Sequence, residues 1–151
     1  MIRDNKKKTE KIDGKKLKFA IVVAKFNEDI TGGMLKGAIK TLSESNVAAN
    51  NIETVWVPGA FEIPLRAQQL AQAKKYDGII VLGCVIKGDT DHYYYVAGES
   101  IRGVMDVTLK TGIPIGMGII TTNNLKQAKD RSGAKNNKGS EAAQAVLEMI
   151  G

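Results

Sequence analysis

Cysteine and histidine are almost absent from this chain: its 151 residues hold one of each, Cys84 and His92. A single cysteine excludes an internal disulfide framework. One thiol and one imidazole also leave too few soft ligands for a structural zinc site, so no metal is expected. Long apolar runs are missing as well. None approaches the roughly 20 residues a membrane-spanning helix needs, and the basic N-terminus is not followed by the apolar stretch of a signal peptide. A cytoplasmic protein that does not engage a membrane is the expectation. Aromatic residues make up only 5% of the chain, and Tyr93, Tyr94 and Tyr95 are consecutive. That distribution does not build a platform of stacking rings interleaved with arginine, as single-stranded nucleic acid would require.

What the chain does have is a hydrophobic fraction of 43% with 25% charged residues, enough for one compact domain with its own core. The net charge of +6 is unevenly spread. Residues 1–18 carry eight basic side chains against three acidic ones, an excess of five that leaves one for the rest of the chain. Residues 1–14 therefore read as a basic leader, solvated or docked on a neighbouring subunit, and 15–151 as a single domain. Phosphate-backbone recognition needs basic charge organised on a folded surface, so no nucleic-acid partner is expected.

Four short apolar runs rich in β-branched residues, Leu17 to Ala24, Ile52 to Val57, Gly78 to Ile86 and Ile113 to Ile120, predict strands. Their near-continuous apolar character matches strands covered on both faces, as in a parallel sheet. Between and after them, helical spacing predicts helices over Ile30 to Leu42, Ile63 to Ala73, about Tyr93 to Leu109, Leu125 to Arg131 and Ser140 to Ile150. The alternation implies an α/β layered domain with right-handed crossovers, whose ligands gather beyond the carboxyl ends of the strands.

Four polar or glycine-containing loops follow those ends: Lys25 to Asn27, Pro58 to Glu62, Lys87 to His92, and Thr121 to Asn124. In the third, Gly88 and Thr90 can present N–H groups and a hydroxyl to a phosphate; the same residues equally make an ordinary turn capped by Asp89 or Thr90. For the phosphate reading, Asp89 and Asp91 must point outward or be offset by Lys87 and Arg131. His92 is either a proton-transfer group or a helix-start residue. Phe26 either stacks on a planar heterocycle or caps the core, and Glu62 either binds a polyol or answers a helix dipole. Cys84 lies inside an apolar strand, where a thiol is usually a small buried hydrophobe and not a nucleophile.

The words Phe26-Asn27, VPGAFEIP at Val57 to Pro64, GCVIKGDTDHYYYV at Gly83 to Val96, GIITTNNLKQAKDR at Gly118 to Arg131 and NKGSEAAQAVLEM at Asn137 to Met149 occur in one order. In that order and spacing, from about Leu17 to the C-terminus, the chain resembles the lumazine synthase family. The resemblance implies a three-layer α/β/α, flavodoxin-like fold with a central four-stranded parallel sheet flanked by helices on both faces. It also implies a transferase of riboflavin biosynthesis that condenses 5-amino-6-(ribitylamino)uracil with 3,4-dihydroxy-2-butanone 4-phosphate, releasing phosphate and water, with no cofactor.

Carried over residue by residue, the resemblance has Phe26 stacking on the pyrimidine, and Ala60, Phe61 and Glu62 holding the ribityl chain and nearby ring edge. Main-chain groups around Val85, Ile86 and Lys87 bind the pyrimidine. Gly88, Asp89, Thr90 and Arg131 bind the butanone phosphate, His92 transfers protons, and Lys138 lies close by. The family assembles as pentamers or multiples of pentamers with active sites shared between subunits, and a neighbour's phenylalanine, matched here by Met117, covers the substrate. The chain departs from the family at Met117, at Lys87 and Tyr94, and in a shorter turn after Arg131. Two other readings stand beside this one: a non-catalytic flavin- or lumazine-binding or assembly protein on the same fold, and a flavodoxin-like module for flavin or phosphorylated regulation.

Overall fold

The computed structural model describes residues 12–151. The leader expected at 1–14 thus lies outside the described residues except for its end. There Ile12 packs beside the core, and the Gly14 N–H donates to the Ser45 carbonyl at 2.6 Å.

Strands β1 (Phe19–Ala24), β2 (Ile52–Val57), β3 (Gly78–Ile86) and β4 (Ile115–Thr122) form one all-parallel sheet in the spatial order β2-β1-β3-β4. Helices α1 (Glu28–Glu44), α2 (Ile63–Gln72) and α3 (His92–Thr111) cross between the strands, and α4 (Leu125–Asp130) and α5 (Lys138–Ile150) follow the last one. The elements are those the sequence predicts, and the fold is the expected three-layer flavodoxin-like arrangement.

One boundary moves for a clear reason. β4 begins two residues later and ends two residues later than its apolar run. The Pro114 carbonyl accepts the Ile79 N–H at 3.1 Å, and the ladder then runs from Ile79↔Ile115 to Ile86↔Thr122. Pairing with the long β3 therefore draws Thr121 and Thr122 out of the expected loop and into the strand, because an unpaired backbone beside β3 would leave its polar groups unsatisfied.

The two faces of β1 show how period-2 alternation sorts the core. Phe19, Ile21 and Val23 pack with Met34, Ala38 and Leu42 of α1 and Val146 and Leu147 of α5. Ala20, Val22 and Ala24 face the other way, against Ile63 and Ala67 of α2 and Val104 and Val107 of α3. All six β1 residues are buried, so a register slip would exchange two differently shaped faces; each large aliphatic contributes about 1.5–3 kcal/mol by burial. α5 sits close under α1 because Gly139 has no Cβ to strike the Met34 carbonyl. Any side chain there would push the helices apart.

Because β2 lies on one side of β1 and β3 on the other, the chain reverses direction in the sheet after β2. The loops leaving β1 and β3 consequently diverge to opposite faces and open a crevice at the carboxyl edge, where ligands of open α/β sheets bind.

Candidate active site

A cleft of about 740 Å³ opens at this switch point. Its first wall comes from β1. The β1–β2 hydrogen bonding continues past the strands, with the Lys25 N–H donating to the Val57 carbonyl at 2.8 Å and the Phe26 N–H to the Pro58 carbonyl at 3.0 Å. Phe26 is thereby held at the rim, 70% exposed and lining the cleft. It is not a core cap.

The second wall follows β2, where Pro58 and Gly59 lead into a 3₁₀ turn at Ala60–Glu62 that continues directly into α2. The Glu62 N–H closes the turn on the Gly59 carbonyl at 3.2 Å, and Pro64 sits in the first turn of α2, where its missing N–H costs nothing. Ala60 is buried while Phe61 is 64% exposed. Glu62 stands before α2 but makes no capping bond with its side chain. Its carboxylate lines the cleft.

Cys84, Val85 and Ile86 at the end of β3 form the floor, and Gly88, Thr90 and His92 continue it toward α3. The loop is anchored by the Lys87 N–H, which donates to the Thr122 carbonyl at 2.8 Å. Asp91 precedes α3 and makes no side-chain cap; the Thr90 hydroxyl instead accepts the His92 N–H at 3.4 Å. Asp89 and Asp91 are exposed and do not line the cleft, while the Lys87 ammonium lies 5.8 Å from the Tyr94 ring centroid, within cation–π range.

Cys84 is 3% exposed, and burial pushes its thiol up to about 11. At neutral pH it is a protonated thiol, which suits a floor residue and not a nucleophile. The acidic side chains lining the cleft are Glu62 and Glu99, and no lysine or arginine is among the lining residues. A phosphate held here therefore requires a cation from elsewhere.

Five of the residues anticipated from sequence lie outside this cleft: Lys87, Asp89, Met117, Arg131 and Lys138. Met117 sits on the edge strand β4 at 48% exposure. Arg131 ends α4, its guanidinium Nη1 donating to the Gln127 carbonyl at 2.9 Å, and Lys138 opens α5 with its ammonium 2.9 Å from Glu141. Conversely, Tyr95, Val96 and Glu99 line the cleft without having been singled out. They lie three, four and seven positions after His92, which is one face of α3. Extending the helical spacing from the histidine would have found them. Among the described residues, no group of three or more histidine, cysteine or acidic side chains is placed to hold a metal ion.

A family model described as 6,7-dimethyl-8-ribityllumazine synthase matches residues 16–151.

Proposed function

The chain belongs to the 6,7-dimethyl-8-ribityllumazine synthase family, which serves riboflavin biosynthesis, and from that premise we propose that it catalyses the condensation of 5-amino-6-(ribitylamino)uracil with 3,4-dihydroxy-2-butanone 4-phosphate. The observation that carries this reading is the convergence of Phe26, Glu62, Gly88, Thr90 and His92 on one cleft at the switch point of the sheet.

In this reading the pyrimidine lies against the exposed ring of Phe26, with its polar edge toward the main chain around Val85, Ile86 and Lys87. The ribityl hydroxyls, as donors, meet the Glu62 carboxylate beside Ala60 and Phe61. Gly88, Asp89 and Thr90 offer main-chain N–H groups and a hydroxyl to the butanone phosphate.

The amine attacks the ketone, water leaves to form an imine, phosphate departs, and the second nitrogen closes the ring with a further dehydration. Each step relocates a proton, and His92 at the phosphate end of the cleft is the group suited to carry it near neutral pH. An amine and an aliphatic ketone already react in water, so most of the acceleration comes from holding the two in contact. No net oxidation or reduction occurs across the sequence, and the proposed chemistry calls on no redox cofactor.

The cleft lacks a cation, and Arg131, the guanidinium suited to a departing phosphate, does not line it within one subunit. The proposed functional form is accordingly a homo-oligomer, a pentamer or a multiple of pentamers, in which a neighbour completes each site. Met117 of one copy then covers the substrate of the next by a thioether contact, and Arg131 and Lys138 supply positive charge. Exposed apolar side chains on α2 and α3, Leu65 at 63%, Met105 at 54% and Leu109 at 75%, support an assembled state. We place the protein in the cytoplasm, with small-molecule substrates and no nucleic-acid or membrane partner; no helix among the described residues is long and apolar enough to cross a membrane.

The test mixes purified protein with both substrates and follows lumazine fluorescence and phosphate release above the spontaneous reaction. Turnover above background is expected. Binding of the pyrimidine without turnover would replace the enzyme with a binding or assembly protein on the same fold.

A further inference from the structure

Asn27 begins α1 in an unusual way. Asparagine is among the best helix-capping residues, yet here the side chain makes no capping bond, and the backbone sits in the left-handed region at φ 61°, ψ 47°. Forgoing the cap and adopting that backbone each cost local stability. Strained backbone of this kind persists where surrounding structure holds it, and it gathers at binding sites.

The side-chain amide goes elsewhere. Asn27 Nδ2 donates to the main-chain carbonyl of Cys84 at 3.0 Å, across 57 residues of sequence. The β1–β3 register ends at Val23↔Leu82, so β1 has stopped before it reaches Cys84, and the asparagine amide takes the place of the missing ladder partner. The bond spans the very gap that separates the diverging loops of β1 and β3. On one side of Asn27 lies Phe26, tied to the β2 loop through the Pro58 carbonyl; on the other, the Ile30 and Thr31 N–H groups close on the Asn27 carbonyl at 2.9 and 3.0 Å. Cys84, at the far end of the amide bond, is part of the cleft floor.

We propose that Asn27 is a positioning residue: its side-chain amide pins the carboxyl end of β1 to β3 and so sets the distance between the ring of Phe26 and the cleft floor. A planar ligand stacked on Phe26 while hydrogen-bonded to the floor samples both sides of that gap, and its affinity depends on the gap being fixed in advance. The inference rests on the proposed lumazine-forming reading for the identity of the ligand, but the tether itself does not.

Two variants separate the amide from the backbone. Asn27→Gly keeps the left-handed conformation without strain and removes the amide; Asn27→Asp keeps size and tolerance of positive φ but cannot donate to a carbonyl. Both are compared with wild type in two measurements on the full-length protein. The first is hydrogen exchange of peptides covering residues 21–31, which needs no ligand. The second is binding of 6,7-dimethyl-8-ribityllumazine, followed by its fluorescence, together with the Phe26→Ala variant and the Phe26→Ala/Asn27→Gly double variant.

Exchange about tenfold faster in both single variants is expected, with lumazine affinity lowered about tenfold. The double variant should bind no more weakly than Phe26→Ala alone, because Asn27 acts through the ring. Exchange unchanged in both variants overturns the tether. Faster exchange with undiminished affinity, or fully additive losses in the double variant, overturns the positioning role. If wild type does not bind the lumazine at all, the functional reading fails while the exchange result still decides the tether.

Discussion

Two depressions of nearly equal size lie among the described residues, and they differ in what their side chains are doing. The cleft at the β1–β3 switch point, about 740 Å³, is lined by exposed aromatic rings, two carboxylates and the histidine. The second, about 650 Å³, lies between α1 and the segment that joins α4 to α5, among Lys36, Lys40, Glu44, Ser132 and Asn137. There most of the polar side chains are occupied with partners inside the protein. The Asn137 amide donates to the Gly33 and Gly133 carbonyls at 3.0 and 2.9 Å, and its carbonyl oxygen accepts the Ser140 N–H at 3.1 Å as the cap of α5. Gly37 leaves room for that side chain, where a Cβ would collide with it. The Lys40 ammonium stands 4.0 Å from Glu44. Volume does not separate the two depressions. Unspent chemistry does: one asparagine in the second depression locks two helices and a turn, whereas Glu62, His92 and Phe26 in the first face a space that a substrate can fill.

The sharpest way to break this contrast is to remove the cation proposed to complete the first site from a neighbouring subunit and, separately, a cation that lines the second depression. Arg131→Ala should lower kcat/KM for the butanone phosphate about a hundredfold by withdrawing a charge-assisted fork from the leaving phosphate, whereas Lys40→Ala should leave steady-state kinetics unchanged. Equal losses in the two variants would dissolve the distinction.

Within the cleft, His92→Ala should reduce kcat about tenfold to a hundredfold, at or below the usual range for general acid–base catalysis because the substrates are already reactive partners. Pyrimidine affinity, measured by titration, should change by less than about twofold. An undiminished kcat would remove His92 from proton transfer.

The second depression predicts the opposite pattern. Asn137→Ala should lower the free energy of unfolding in urea by about 1–3 kcal/mol, since it deletes a helix cap and strips two carbonyls of their donor, while kcat per folded molecule stays the same.

The smallest effect concerns the floor. Cys84 is held as a thiol well above its ordinary value of 9.0, at about 11. The folded state therefore binds the proton more tightly than the unfolded one, and stability carries this contribution in full below pH about 9 and loses it as pH rises through about 11. Denaturant titrations should show this alkaline decline in wild type and a shallower one in Cys84→Ala. Alkylation by iodoacetamide at pH 7.5 should be slow until the chain unfolds.

Much of this architecture is legible in the order of residues. The β-branched runs at Ile52 to Val57 and Gly78 to Ile86 coincide with β2 and β3: in β3 the positions from Gly78 to Cys84 are all buried and leave no room for a polar side chain, whereas the edge strand β2 keeps an exposed Glu53 and is recognised by its β-branched and aromatic residues. The polarity of the loops after each strand located the rim. Less legible was how α1, read from helical spacing over Ile30 to Leu42, holds its full run from Glu28 to Glu44 despite Gly32, Gly33 and Gly37; its stability comes from burying Met34, Ala38 and Leu42 against the sheet and α5, and no local propensity records that contact. The extension of β4 through Thr122 was equally hidden, since a threonine does not announce which neighbour its backbone will pair with.

The sequence by itself determined the α/β class, the family, the number of strands and the residues from which a site would be drawn, because periodicity and local chemistry are written in nearest neighbours along the chain. Only the tertiary structure decided that β1 and β3 are adjacent while β2 lies outside, that Phe26 is exposed at the rim, that Tyr95 and Glu99 share the wall with His92, and that Arg131 and Met117 stay outside the cleft of their own subunit. Each of these depends on which distant segments share the burial of one core, a competition among all possible pairings that no single stretch of sequence can settle.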